Sequence, residues 1–185
     1  MDAQEALEKL KQGNLRFVQG KPASKNLTLQ RTQTALGQKP YAAVLTCSDS
    51  RVSPEHIFDA GIGEIFVVRT AGNLADSIAL GSLEYAAQHL HVPIVLVLGH
   101  TSCGAINAAC SSQSASGNLK AIIDALQEAV ALGKKDPQKT VKENVNYVLS
   151  QIRQKSKAIS QLEREGKIKL LGAIYSIESG QVSFI

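Results

Sequence analysis

Three short apolar runs constrain this chain more than any other feature: "YAAVLTC" at 41–47, "EIFVVR" at 64–69 and "PIVLVLGH" at 93–100. They are rich in Val, Ile and other β-formers, carry almost no alternation, and so read as strands buried on both faces. Between the second and third lies "DSIALGSLEYAAQHL", whose apolar residues recur at helical spacing, with Asp76 or Ser77 placed to cap it. Strand, helix, strand in that order builds a parallel sheet with crossover helices. The predicted fold class is α/β, a mostly parallel central sheet flanked by helices.

The remaining segments fit around that sheet. Asp2 with Glu5 has the pattern of a capping box, and Ala3, Leu7, Leu10 and Phe17 fall on one face of an N-terminal helix. Residues 20–40 are polar and bounded by Gly and Pro, an irregular connection or short helix that can lie over a neighbouring surface. Two helices fit residues 118–132 and 138–156, the latter with Val141, Val145, Val148 and Ile152 on one face, separated by "GKKDPQ". The end, "KIKLLGAIYSIESGQVSFI", reads as strand, turn and strand. A helical arm with its connection over 1–40, then a single α/β domain over 41–185, is the expected division; 185 residues with 44% hydrophobic content suit one core.

Composition excludes several classes of function. The net charge of +4 comes from scattered cations interleaved with acids, and there is no Trp, so the clustered basic surface that nucleic acid requires is not expected. "MDAQEALEKLKQGNLRF" lacks a signal-peptide core, and no apolar run approaches the ~18–20 residues of a membrane span. A soluble, cytoplasmic protein with no membrane partner is the expectation. Three cysteines without an export signal favour metal or thiol chemistry over a disulfide framework. Cys110, in "AINAACSS", reads as a small buried hydrophobe.

Ligands in open parallel sheets bind beyond the carboxyl ends of the strands, and both Cys47 and His100 stand at such ends. Cys103 follows three residues on, where Thr101 or Ser102 can cap the helix entered at Gly104 and Ala105. A helix N-terminus favours thiolate over thiol. Taken singly, a strand-ending Cys is core filler, a His after Gly99 is a loop residue, and Asp49 with Arg51 is a surface ion pair worth little. Together they form a Cys₂His set that leaves one tetrahedral position open, beside a carboxylate and a guanidinium two residues apart. A bound metal ion is the expectation.

The segments "CSDSRV" and "GHTSCGA" resemble the two signature segments of the beta-class carbonic anhydrases. The resemblance continues through "LKQGNLRFV", "FVVRTAGN", "GSLEYAAQHL" and "GAIYSIESGQVSF", nearly the whole chain. It implies that Cys47, His100 and Cys103 ligate zinc and that Asp49 and Arg51 form the family's dyad. In that dyad the Arg holds the Asp off the metal, leaving it as a conditional fourth ligand. It further implies a small pocket lined by Gln38, Phe66, Ala71, Tyr85 and Gly104. In the family this pocket lies at a dimer interface, so Gln38, Phe66 and Tyr85 are expected to serve the neighbouring subunit's metal. Thr70 and Ala71 depart from residues common in the family, and Val44 stands where a bicarbonate-regulated subgroup carries Trp. That points to the open, unregulated type of site.

The implied reaction is zinc-dependent, reversible hydration of carbon dioxide to bicarbonate and a proton, in a homodimer or higher homo-oligomer. Two thiolates weaken the acidifying effect of the metal relative to three imidazoles, so the Asp49 hydrogen bond is expected to matter. No histidine is placed as a proton shuttle, and His56, His89 and His91 have no assigned role. Three alternatives share the same residues: hydrolysis of carbonyl sulfide or carbon disulfide, a noncatalytic zinc protein, and a redox pair made by Cys47 and Cys103.

Overall fold

The computed structural model describes residues 1–111 and 115–185, and it sets the three apolar runs side by side in one sheet. The chain begins with α1 (Ala3–Val18) and α2 (Leu27–Gln33), then β1 (Ala42–Cys47), α3 (Pro54–Ile57) and β2 (Ile65–Thr70). It continues through α4 (Ser77–Gln88), β3 (Ile94–His100), α5 (Gly104–Cys110), α6 (Gly117–Ala125) and α7 (Gln127–Leu132). The last elements are α8 (Pro137–Lys155), α9 (Lys157–Arg164), β4 (Lys169–Tyr175) and β5 (Val182–Phe184). The strand order is β2-β1-β3-β4-β5, parallel except for the β4–β5 pair. The α/β class and the closing strand pair are therefore as the sequence predicts.

Strands β1 and β3 are buried along their whole length, which is why they read as continuous apolar runs. β2 differs. It lies at the sheet edge, and only Ile65 and Val68 are buried, so the expectation of burial on both faces fails there. An edge strand has one neighbour instead of two, and Phe66, Val67 and Arg69 take the less covered positions.

Two clusters sandwich the sheet. One joins Ala43, Leu45, Val95 and Val97 to α4, α8 and α9; the other joins Ala42, Val44, Leu96 and Leu98 to Ala6 and Leu10 of α1 and to α3. Val44 is fully enclosed in the latter. The capping box of α1 is present, with Asp2 accepting from the Glu5 amide and Glu5 accepting from the Asp2 amide. Asn14 pins this helix to its own chain, donating to the Ile57 and Gly180 carbonyls and accepting from the Val182 amide. Further on, Asp59 binds Arg16, Lys25 and the Ala23 amide, fixing the start of the connection.

Helix α8 carries the expected stripe, with Val141, Val145, Val148 and Ile152 buried. It approaches the sheet at Gly99, where a Cβ would come within 2.7 Å of Val145 Cγ2. The helix expected over 118–132 is divided at Leu126, whose amide is shared between the Ile122 and Ile123 carbonyls at 3.2 Å each. Asp76, not Ser77, caps α4, accepting from the Ala79 amide.

Candidate metal centre

The site forms because β1 and β3 are adjacent and parallel, with Thr46 opposite Leu98, so both strands deliver their last residues to the same edge. Thr46 locks that register by donating from Oγ1 to the Leu98 carbonyl at 2.9 Å. Cys47 ends β1 and His100 ends β3. After His100 the backbone reverses through Ser102, in a left-handed conformation with φ 55°, and this turns Cys103 back toward the strand ends. The ligand atoms of Cys47, His100 and Cys103 all lie within 4.8 Å of one another, and all three residues are buried. Among the described residues this is the one such cluster of three donors.

The donors are suited to a soft divalent cation. His100 Nδ1 is 2.9 Å from the Thr101 carbonyl, an acceptor, so Nδ1 carries the proton and Nε2 presents its lone pair. That Nε2 is buried with no partner in the protein. The two sulfurs are 3.9 Å apart, and the cysteines are free. The hydrogen bond shared with Cys103, together with His100 and the Gly72 amide, outweighs burial and pushes the Cys47 thiol down. The same bond and burial push the Cys103 thiol up. A cation among these residues would meet two sulfurs and one imidazole nitrogen that has no partner in the protein. Two thiolates and one imidazole are a set that zinc accepts with a coordination position to spare.

Asp49 and Arg51 adjoin this cluster. Arg51 grips the carboxylate with both arms, Nε to Oδ1 at 2.9 Å and a terminal nitrogen to Oδ2 at 2.8 Å, while its amide adds a third bond to Oδ1 at 3.0 Å. The guanidinium holds Asp49 well below the usual carboxylate range. Arg51 also donates to the Ser102 carbonyl at 3.2 Å, so it ties the loop after β1 to the loop before Cys103.

Other residues at the site escape sequence reasoning. Arg69, opposite Thr46 in β2, donates to the Cys47 carbonyl at 3.1 Å and the Asp49 carbonyl at 2.7 Å. Gly72 donates its amide to Cys47 Sγ at 3.4 Å. Both lie in "FVVRTAGN", whose likeness to the family was the available signal. The expected helix cap is absent: Cys103 itself is the cap residue of α5, and no side chain bonds its open amides. Thr101 Oγ1 instead accepts from the Ile177 amide at 3.1 Å. Cys110 is half-buried and donates to Thr140 Oγ1 at 3.5 Å, apart from the cluster.

The pocket residues are not gathered within one chain. Gln38 is exposed in the connection after α2, Tyr85 is exposed on α4, and Phe66 is half-buried on β2. Phe66 and Tyr85 meet with ring centroids 6.1 Å apart, and His89 lies 5.4 Å beyond Tyr85. Ala71 occupies the short 3₁₀ turn after β2. Gly104 is exposed, and a Cβ there would meet nothing within 4 Å. A cavity of about 880 Å³ reaches Cys103 between Ser102, Asn107, Ile177 and Glu178, and none of Gln38, Phe66, Ala71, Tyr85 and Gly104 lines it.

A soft donor trio at strand ends, beside a clamped carboxylate, could hold a metal ion, and comparison with known proteins points the same way. The pattern of the carbonic anhydrase family matches residues 42–182. Carbonic anhydrase 2 of Mycobacterium tuberculosis is 40% identical, over 95% of this chain and 89% of its own length. The carbonic anhydrase of Mycolicibacterium smegmatis is 39% identical, over 96% and 90%. Among solved structures, the Coccomyxa beta-carbonic anhydrase in complex with acetazolamide superposes with TM-score 0.77 at 27% identity, covering 85% of this chain and 77% of that one. A Sordaria macrospora structure, described as a tetrameric beta-carbonic anhydrase, superposes with TM-score 0.76 at 23% identity, covering 83% and 84%, and so shares the fold. The chain belongs to the beta-carbonic anhydrase family. No described helix is long and apolar enough to cross a membrane.

Proposed function

We propose that this enzyme reversibly hydrates carbon dioxide to bicarbonate and a proton, using a zinc ion held by Cys47, His100 and Cys103. The observation that carries the reading is the buried, unpartnered Nε2 of His100 facing two free sulfurs. Zinc bound there lowers the pKa of a coordinated water from ~15.7 toward ~7 and supplies a nucleophile near neutral pH.

The protein's own contribution is orientation. Clamped by Arg51, the Asp49 carboxylate stays ionised through the neutral range, so it accepts hydrogen bonds and donates none. It can therefore accept a hydrogen bond from a proton-bearing nucleophile and so orient it. Arg51 occupies the carboxylate oxygens that would otherwise be free to turn toward a bound dication, so it would keep Asp49 from becoming a ligand. Arg69 fixes the same loop from the other side through the Cys47 and Asp49 carbonyls.

The pocket is completed by a second copy of the chain. Half-buried Phe66 on the edge strand β2 pairs with exposed Tyr85, α2 has no buried residue, and Leu27, Leu29 and Leu36 expose apolar surface in the connection. We read residues 1–40 as the arm and 41–185 as the zinc-binding domain, with Gln38, Phe66 and Tyr85 lining the partner's site beside Ala71 and Gly104. Free cysteines suit the reducing cytoplasm. Stopped-flow carbon dioxide hydration on protein of known zinc content tests the function, run beside carbonyl sulfide and carbon disulfide. Turnover of carbon dioxide in proportion to zinc is expected. Preference for a sulfur substrate, or no turnover by zinc-replete protein, would overturn the assignment.

A further inference from the structure

Behind the donor cluster lies a buried amide with no part in the reading above. Asn144 sits on the sheet-facing side of α8, among Val141, Val145 and Val148, and is fully buried. An apolar residue would continue that stripe, and an amide there costs ~1–3 kcal/mol unless it is hydrogen-bonded. Asn144 Nδ2 donates to the Gly72 carbonyl at 2.9 Å. Gly72 is left-handed, φ 72°, and its amide is the one that donates to Cys47 Sγ. A single peptide turn thus receives a bond from α8 on one side and gives a bond to a metal donor on the other.

The surroundings leave that turn little freedom. A Cβ on Gly72 would sit 3.4 Å from Leu126 Cδ1 and 3.5 Å from Ala105 Cβ, so apolar side chains press against it. The next residue, Asn73, is also left-handed, φ 48°, and only 1% exposed. Its Nδ2 is a buried donor without a partner, and Asn144 Oδ1 is a buried acceptor without one. Both residues thus flank the Gly72 carbonyl, Asn73 by sequence and Asn144 by its hydrogen bond.

We infer that Asn144 is a positioning residue for the metal centre: it holds the Gly72 turn so that the Gly72 amide meets Cys47 Sγ, fixing that sulfur's direction and its strength as a donor. The inference rests on Cys47 being a ligand. Partners one step removed from a metal commonly account for ~10–100-fold in affinity.

The test uses full-length protein carrying Asn144→Leu, which suits the apolar stripe, and Asn144→Ala, which asks for no space if the leucine variant does not fold. Zinc affinity is read by competition with a chelator, and cobalt(II) serves as a spectroscopic probe. Weaker zinc binding by ~10-fold or more is expected. The sulfur-to-cobalt charge-transfer band should also move to longer wavelength, because a sulfur stripped of its N–H partner gives up an electron more easily. Melting of the metal-free variants reports any structural cost separately. Wild-type affinity with an unshifted band, whatever the melting temperature, would make Asn144 a structural amide only and overturn the inference. Wild-type protein that takes up neither metal would instead overturn the ligand reading beneath it.

Discussion

Cys47, His100 and Cys103 are at most 5% exposed and held by contacts within one chain, whereas Gln38 and Tyr85 stand in solvent and Phe66 is half covered. The first group is positioned by the parallel register of β1 and β3, by Thr46, and by the left-handed turn at Ser102. The second group lies on an edge strand, a helix face and a connection, which its own chain covers in part at Phe66 and leaves exposed at Gln38 and Tyr85. On the proposed reading, folding within one chain supplies the metal donors and association supplies the pocket wall.

Removing a donor should have the largest effect. His100→Ala or Cys47→Ser should weaken zinc binding by more than ~100-fold, beyond what loss of an outer partner does, and elemental analysis of purified protein checks it. Full zinc content in either variant would remove that residue from the site.

Arg51→Ala comes next and acts differently. Only the backbone amide of residue 51 then holds the carboxylate, Asp49 should move onto the metal, and hydration should fall by ~100-fold or more, in the range seen when a transition-state contact is lost, with zinc nearly unchanged. Arg51→Lys should not rescue, since an ammonium cannot span both oxygens. X-ray absorption showing an open, water-bound zinc in Arg51→Ala, with near-normal turnover, would reduce the pair to an ordinary ion pair.

A smaller effect is expected from dilution. If association completes the pocket, specific activity should drop as the protein is diluted below its dimer dissociation constant, while zinc content per chain holds. Sedimentation at assay concentration that finds fully active monomers would break the comparison.

The smallest effect concerns how the arm is tied to its own chain. Burial alone would raise the Asp59 carboxyl, but Lys25, the Ala23 amide and Arg16 overcome it and bring it down to about 2 from 3.8. A carboxyl depressed on folding stabilises above its unfolded pKa, and that stability is lost as pH falls from about 4 toward 2. Asp59→Asn, which tolerates the left-handed φ of 47° at this position, should lower the melting temperature by ~4–8 °C near pH 7, for about 2 kcal/mol. The gap from wild type should close between pH 4 and 2. An equal gap at both ends would mean the charge is not what holds the connection.

Sequence periodicity reveals elements whose burial is one-sided or complete, and it failed where neither holds. β1, β3 and the stripe of α8 were legible because apolar residues follow the strand or helix period without interruption. β2 was legible as a strand but not as an edge, since nothing in "EIFVVR" says how many neighbours it has. α2 buries no residue and so carries no periodic signal. The ligand trio and the Asp49–Arg51 pair stood out because chemistry-bearing residues crowd two strand ends. Arg69 and Asn144 did not, because their bonds reach 22 and 72 residues along the chain and leave no local pattern.

One measurement tests the division of the site most directly. Chains carrying His100→Ala keep their pocket residues and lose the metal; chains carrying Gln38→Ala keep the metal and lose an exposed amide that supports nothing in its own fold. Co-expressed with separable tags, the two should yield mixed dimers in which the Gln38→Ala chain's metal faces an intact partner. The account predicts that purified mixed dimers regain about half of wild-type hydration activity, one site of two, while either variant alone stays far lower. Mixed dimers no more active than the average of the two parents would show that each chain builds its whole pocket, and would contradict the account.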